Sequence, residues 1–422
     1  MMEQAFEQGR LRRMFLFVAC AIVMASYAWV AFRVYRAQQL ADKLDQPSIE
    51  KAIALAPQNA TYHEQLCRSM LFVSQQTERA VDECSKASEL NPYSSAIWLD
   101  LAQAYYFVGN IPLNQAAAYK ALAVDPTTPD TAWSAANFFL IQGDTDEALH
   151  QFAIVLREEP SLAPSVLNIC WQSLHDMQRV QRILPSNPEV YLAFIKLLLS
   201  TDDSNAAHQI WLALMQTKAP FDYHHGLFYI DSLIQAHSVD QASEAWKQLS
   251  SMSAALQAYG QPNNLVMDGS FTQEILNSGF DWRYSPAPQI ALTLDDTEFH
   301  NAGRSLKLVY GLNGGDAGIF QYIAVHPDSR YRLSAWVKSE DIETANGPAL
   351  TLLDGYSKAV LGSTEETIGT TPWHRLDTEL TTGPETKLLM LAIQRHPGET
   401  QIQGKFWMDD IQLEPMQPSG GS

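Results

Sequence analysis

Positive charge is scarce in this 422-residue chain: 28 Lys and Arg face 47 Asp and Glu, for a net charge of −19. A surface that neutralises nucleic-acid phosphates must be basic, so no nucleic-acid partner is expected, nor a protein lying flat on anionic lipid. Cysteine is scarcer still. Cys20, Cys67, Cys84 and Cys170 are the four, and no two form a Cys-x-x-Cys pair, which argues against structural zinc. Gly-x-Ser-x-Gly, His-Glu-x-x-His and a Walker loop are all missing, and with them the usual signs of a nucleophile, a zinc hydrolase or a nucleotide site. His224-His225 near Asp222 lacks the i, i+4 spacing that puts two ligands on one helical face. Gly314-Gly-Asp-Ala-Gly318 has no Lys-Ser/Thr after it and reads as a turn. Asp281, Asp295, Asp296 and Asp354 are acids that sequence cannot place in a facing pair. No enzyme is expected.

What is present points to folded domains. Hydrophobic residues make up 46% and charged ones 18%, and the length implies two or three domains. Met14 to Phe32 runs without a charge, long enough for a helix to span a bilayer, with Arg10, Arg12 and Arg13 before it and Arg33 and Arg36 after. The expected arrangement is a short cytoplasmic N-terminus (1–13), a transmembrane helix (14–32) and a long soluble portion outside. That makes a single-pass protein of a bacterial inner membrane, periplasmic in its bulk. A signal peptide cleaved near Ser26-Tyr-Ala28 is the competing reading, but the apolar run continues through Trp29 to Phe32.

One phrase then recurs. Lys51-Ala-Ile-Ala-Leu-Ala-Pro57, Lys86-Ala-Ser-Glu-Leu-Asn-Pro92 and Lys120-Ala-Leu-Ala-Val-Asp-Pro126 are followed by a looser copy ending at Pro160, the prolines standing 35, 34 and 34 residues apart. Such a period predicts stacked helix pairs. Small residues at Ala102, Ala118, Ala121, Ala135 and Ala136 mark where helices approach closely. Gly109-Asn110 and Gly143-Asp144 mark turns, and Asp144 to Glu147 a helix start. The aromatics Tyr105, Tyr106, Phe138, Phe139, Trp171 and Tyr191 read mainly as core. These residues resemble the tetratricopeptide repeat family over about 39–260, most closely from Ser95 to Pro160. The pair from Pro160 to Pro188 is shortened. The resemblance implies a right-handed superhelix whose groove binds a protein or peptide partner. On this map Cys67 lies on a first helix and Cys84 on a second, nearly equidistant from a turn at Gln75-Gln76. A disulfide and two buried thiols stay open as readings, because the 35-residue spacing blurs the register.

After Gly260 the period changes from 3.6 to 2, with short alternating segments between Gly, Pro, Asn and Asp clusters. An all-β jelly-roll sandwich over 263–415 follows, with 416–422 a flexible tail. Asn264-Leu-Val-Met-Asp-Gly-Ser-Phe271, Arg330-Tyr-Arg-Leu-Ser-Ala-Trp-Val-Lys338 and Trp407-Met-Asp-Asp-Ile-Gln-Leu413 resemble carbohydrate-binding modules of the galactose-binding-like group. That resemblance implies a structural calcium, for which Asp268 and Asp410 are the candidate ligands, although Thr272 stands where the family often has an acid. It also implies glycan recognition by stacked aromatics. Trp282, Tyr284, Tyr322 and Tyr356 lie near turns or strand ends and are the candidates, while Trp336, Trp373 and Trp407 read as core. The expected role is a membrane-anchored scaffold with a protein partner in the repeats and polysaccharide on the jelly roll, serving envelope or exopolysaccharide assembly. The alternatives are a jelly roll that only caps the solenoid, and an unrecognised glycan-active enzyme.

Overall fold

The computed structural model describes residues 2–301, 303–311, 315–395 and 401–416. The chain begins with helix α1 (Met2–Ala41), of which Met14–Ala41 is apolar and long enough to cross a membrane. Its last turns are already part of a core: Ala37 and Ala41 are buried with Ala52 and Tyr62. Hairpins follow, built from α2 (Gln46–Leu55), α3 (Ala60–Ser69), α4 (Thr77–Leu90), α5 (Ser95–Phe107), α6 (Ile111–Val124), α7 (Pro129–Ile141) and α8 (Thr145–Glu158). The shortened pair is α9 (Ala163–Leu174) with the six-residue α10 (Met177–Arg182). Then come α11 (Pro188–Ser200), α12 (Ser204–Thr217), α13 (Leu227–Gln235), α14 (Val239–Met252) and the short α15 (Ala254–Gln257).

Local chemistry sets these boundaries. Helices start where a short polar side chain accepts a free backbone N–H: Asn59, Ser94, Asn110, Asp144, Asp176 and Asp203 each do so. They stop at the recurring prolines. Ala56, Asn91, Asp125 and Glu159 each precede one, and all four are held at φ between −136° and −141° with ψ of 70° to 86°, outside the helical region that a following proline disfavours. Gly109 and Gly143 take φ of 75° and 81° at the hairpin turns, a conformation open to glycine at no steric cost. Ala102, Ala118, Ala135 and Ala148 are buried between helices, beside Leu101 and Phe139.

The 35-residue repeat carries its extra residue in a π-helical turn, Met70–Ser74, ended by Gln75 in the left-handed region. With the insertion absorbed there, Cys67 and Cys84 keep their register across the hairpin. Their Cα atoms are 5.4 Å apart and the sulfurs are bonded. Cys170 is buried without a disulfide, its thiol pushed up to about 12 by burial.

The C-terminal part is two five-stranded antiparallel sheets. One holds β1 (Trp282–Tyr284), β4 (Ile319–Ala324), β9 (Leu388–Gln394), β6 (Ala349–Asp354) and β7 (Val360–Ser363), in that order. The other holds β2 (Ile290–Asp295), β3 (Ser305–Tyr310), β10 (Gln403–Pro415), β5 (Arg330–Glu343) and β8 (Gly369–Thr381). The core between them includes Phe271, Trp282, Tyr331, Leu333, Phe406 and Met408. Helix gives way to strand near residue 260, but the chain divides into compact units between Leu197 and Leu198. The last helices belong with the sandwich. The tail 417–422 and the start of the Gly314–Gly318 turn lie outside the described residues.

Candidate binding sites

Within the second unit, the α13–α14 hairpin is fastened to the sandwich by named contacts. Asp231 on α13 accepts the Ser278 hydroxyl at 2.7 Å and the Gly279 N–H at 2.8 Å, and it pairs with the Arg283 guanidinium. Gly279 sits at φ 61° with Trp246 of α14 so close that a Cβ would lie 2.4 Å from the ring. Only glycine fits. Trp246 then meets Phe280 edge to face at 6.0 Å. Further along, Tyr356 stacks on His237 at 3.7 Å, and its hydroxyl donates to Ile234 O at 2.8 Å. Lys387 reaches Asp240 at 2.7 Å.

These contacts reassign the aromatics expected to meet a sugar. Trp282 is a correction: it is 1% exposed, lies against Phe271, and its indole N–H donates to Asp268 O. On a three-residue strand one position decides which face a side chain takes, and Trp282 takes the inner one. Tyr284 packs on the rim of the same core. Tyr356 is held by the helices and is a fastener. Tyr322 is half-buried, with Arg283 and Lys358 at 5.3 and 5.4 Å from its ring centroid.

The acids placed for calcium already serve other donors. Asp268 accepts the Thr272 N–H and hydroxyl and the Gln273 N–H, all within 2.9 Å. Asp410 accepts the Ser270 hydroxyl at 3.1 Å and meets His300 Nδ1 at 2.6 Å. Calcium needs six to eight oxygen ligands, and these carboxylates close loops with their oxygens instead. The pair does not fit that ion. The other acids are dispersed too: Asp295 binds Lys307 and the Trp407 N–H, Asp354 holds the 356–357 turn, and Asp281 is buried.

The outer face of the second sheet carries what sequence placed inside. Tyr331, Leu333, Ala335 and Val337 of β5 point into the core, so Trp336 points out. His300 stacks on Trp336 at 3.9 Å, and Trp373 lies 6.0 Å from the same imidazole. Trp336 and Trp373 are half-buried, so both differ from the core reading. Trp407 lies on the same outer face, opposite Lys338, and is buried beneath Lys307 and Lys338 and not in the core between the sheets. Beneath the cluster Asp409 has its carboxyl pushed up to about 6, chiefly by burial and then by Asp410. Strict alternation in Arg330–Lys338 was the signal for this face.

On the helices of the first unit, acids gather where α3 meets α5. Asp100 Oδ2 is buried without a hydrogen-bond partner among the described residues, Arg68 Nη1 standing 3.9 Å away, and Gln65 Oε1 is likewise unpartnered. Burial pushes the Asp100 carboxyl up to about 7 and raises that of Glu64.

No family model matches the chain, and no curated protein does. Among solved structures it is similar to PilF of Pseudomonas aeruginosa, at 20% identity and TM-score 0.26, over 46% of this chain and 92% of that one. A tetratricopeptide repeat protein of Parabacteroides merdae matches at 12% identity and TM-score 0.30, over 54% of this chain and 96% of that one. The carbohydrate-binding and xylanase modules of Clostridium thermocellum xylanase 10B match at 18% identity and TM-score 0.26, over 36% of this chain and 29% of that one. At these scores the likenesses carry no argument about function. A helical repeat region followed by an antiparallel β-sandwich is the architecture.

Proposed function

We propose that the chain is a non-catalytic, membrane-anchored scaffold of the bacterial envelope. Its helix pairs hold a segment of a protein partner, and its sandwich is built onto the α13–α14 hairpin. The observation that carries the reading is the acidic cluster where α3 meets α5: Asp100 Oδ2 is buried beside Glu64 with Arg68 3.9 Å away, and Gln65 Oε1 is buried without a partner among the described residues. Buried acceptors are nearly always satisfied, and a Lys or Arg side chain from a partner would add donors and positive charge to this acidic face. The apolar N-terminal helix and the Cys67–Cys84 disulfide support an oxidising, extracytoplasmic placement. The contacts of Asp231, Tyr356 and Asp240 support a sandwich that caps the helices.

A second reading, polysaccharide binding by the sandwich, is favoured by the His300–Trp336–Trp373 cluster, since stacked, half-exposed rings suit sugar C–H faces. One comparison tests both. Full-length protein in detergent is cross-linked to membrane extract and also applied to a glycan array, beside a Glu64→Gln/Asp100→Asn variant and a Trp336→Ala/Trp373→Ala variant. The acid variant is expected to lose a partner that wild type retains. Retention of the same partners would sink the scaffold face, and glycan signal that survives loss of both tryptophans would sink the sugar face.

A further inference from the structure

One edge of the first sheet is left open. β4 lies between β1 and β9, yet β1 is only three residues long, and its register on β4 ends with Trp282 opposite Gln321. In an antiparallel ladder each residue turns its N–H and C=O to the same neighbour, and successive residues alternate. The Val325 N–H donates to Lys387 O on the β9 side at 2.9 Å, and the Ser285 N–H donates to Gly318 O on the β1 side at 3.3 Å. Counting inward from these two anchors, Phe320, Tyr322 and Ala324 turn away from β9. Phe320 meets Arg283 of β1. The Tyr322 N–H is directed at Asp281, next to β1, but the Tyr322 C=O and the N–H and C=O of Ala324 come after β1 has ended and face no strand.

That edge opens into a cavity of about 470 Å³ whose opposite wall is α14. Leu265, Met267, Trp246 and Phe280 make the lining largely apolar. At the rim Asp240 is taken up by Lys387, which leaves Lys247 as the cation of the α14 wall. Free backbone donors and acceptors in alternation beside an apolar wall match one kind of ligand, an extended polypeptide. A sugar offers no such alternation.

We propose that this cleft binds an extended peptide of a partner protein. The peptide adds a strand to β4 at Tyr322 and Ala324, sets an apolar side chain against Trp246 and Phe280, and turns an acidic one toward Lys247. The site is separate from the α3–α5 face, and it stands or falls independently of that face.

Hydrogen exchange on the full-length protein in detergent micelles, with peptides selected from a phage-displayed random library, tests it. The Ala324 amide should exchange fast in the free protein and become protected when a selected peptide binds. Ala324→Pro removes an N–H that β9 does not use, so the sheet tolerates it while the open edge loses a donor. Lys247→Glu alters an exposed charge and keeps the test intact if the proline variant fails to fold. Each is expected to weaken peptide binding about tenfold or more. The proposal is overturned if no peptide is selected, or if both variants that fold bind it unchanged. An amide already protected without peptide, or protected only as protein concentration rises, would assign the edge to this chain itself or to a second copy.

Discussion

Asp281 is sealed from water, with one carboxylate oxygen accepting the Leu276 N–H at 2.7 Å and the other unpartnered among the described residues. Burial pushes the carboxyl up to about 7 from an ordinary 3.8. The unfolded chain releases this proton near the ordinary value, whereas the folded one holds it until about 7. Between those values the folded state binds more protons, so stability falls as pH rises, and the loss is complete above the folded value. Asp281→Asn keeps the acceptor for Leu276 and removes the titration. Its melting temperature should therefore exceed that of wild type at about pH 8, by the equivalent of up to about 4 kcal/mol at roughly 1.4 per pKa unit. The two proteins should converge only at about pH 4 and below, where the unfolded carboxyl is protonated as well. Parallel melting profiles for both proteins across that range would remove Asp281 as the cause. Asp100 and Asp409 are shifted the same way, so some pH dependence should persist in the variant.

The helices were legible in sequence because their signals are local. A capping Asn, Ser or Asp and an X-Pro dipeptide act within a few residues, and the observed helix ends follow them. The Cys67–Cys84 hairpin was half legible: the equal distances from Gln75-Gln76 were visible, but the π turn that absorbs the extra residue was not. Removing the disulfide by Cys67→Ala/Cys84→Ala opens a loop of 17-residue separation, which should cost about 3 kcal/mol. Thermal unfolding with and without reductant checks this. Reductant should lower the wild-type transition and leave the double variant unmoved, and an indifferent wild type would mean the bond contributes nothing. Strand faces were less legible. A period of two gives alternation but not parity, so a slip of one residue exchanges Trp282, which is inside, for a tryptophan such as Trp336, which is outside. The open β4 edge was invisible for a related reason, since β1 pairs through only three residues.

At the scale of the molecule, composition changes near residue 260 while compactness changes at Leu197–Leu198. The difference has a physical basis: backbone period reads the type of each element, but burial is settled by what it packs on. Asp231, Asp240 and Trp246 sit on helices and His237 in the turn between two of them, and all four find partners in the sandwich. A fragment of residues 262–416 would expose the surface that these side chains cover, whereas one of residues 198–416 follows the observed unit. The longer fragment should melt higher, by about 5 °C or more, each kcal/mol being worth roughly 2–4 °C at this size. Arg283→Ala separates this effect from mere length. In the longer fragment it strips the cation from Asp231, a half-buried carboxylate, and should lower the melting temperature. In the shorter one Asp231 is gone and Arg283 keeps only the Gly279 carbonyl and the Tyr322 ring, so the substitution should cost less. Equal melting of the two fragments, or an equal response to Arg283→Ala, would mean that the sandwich is an independent module and that its contacts with α13 and α14 contribute no stability.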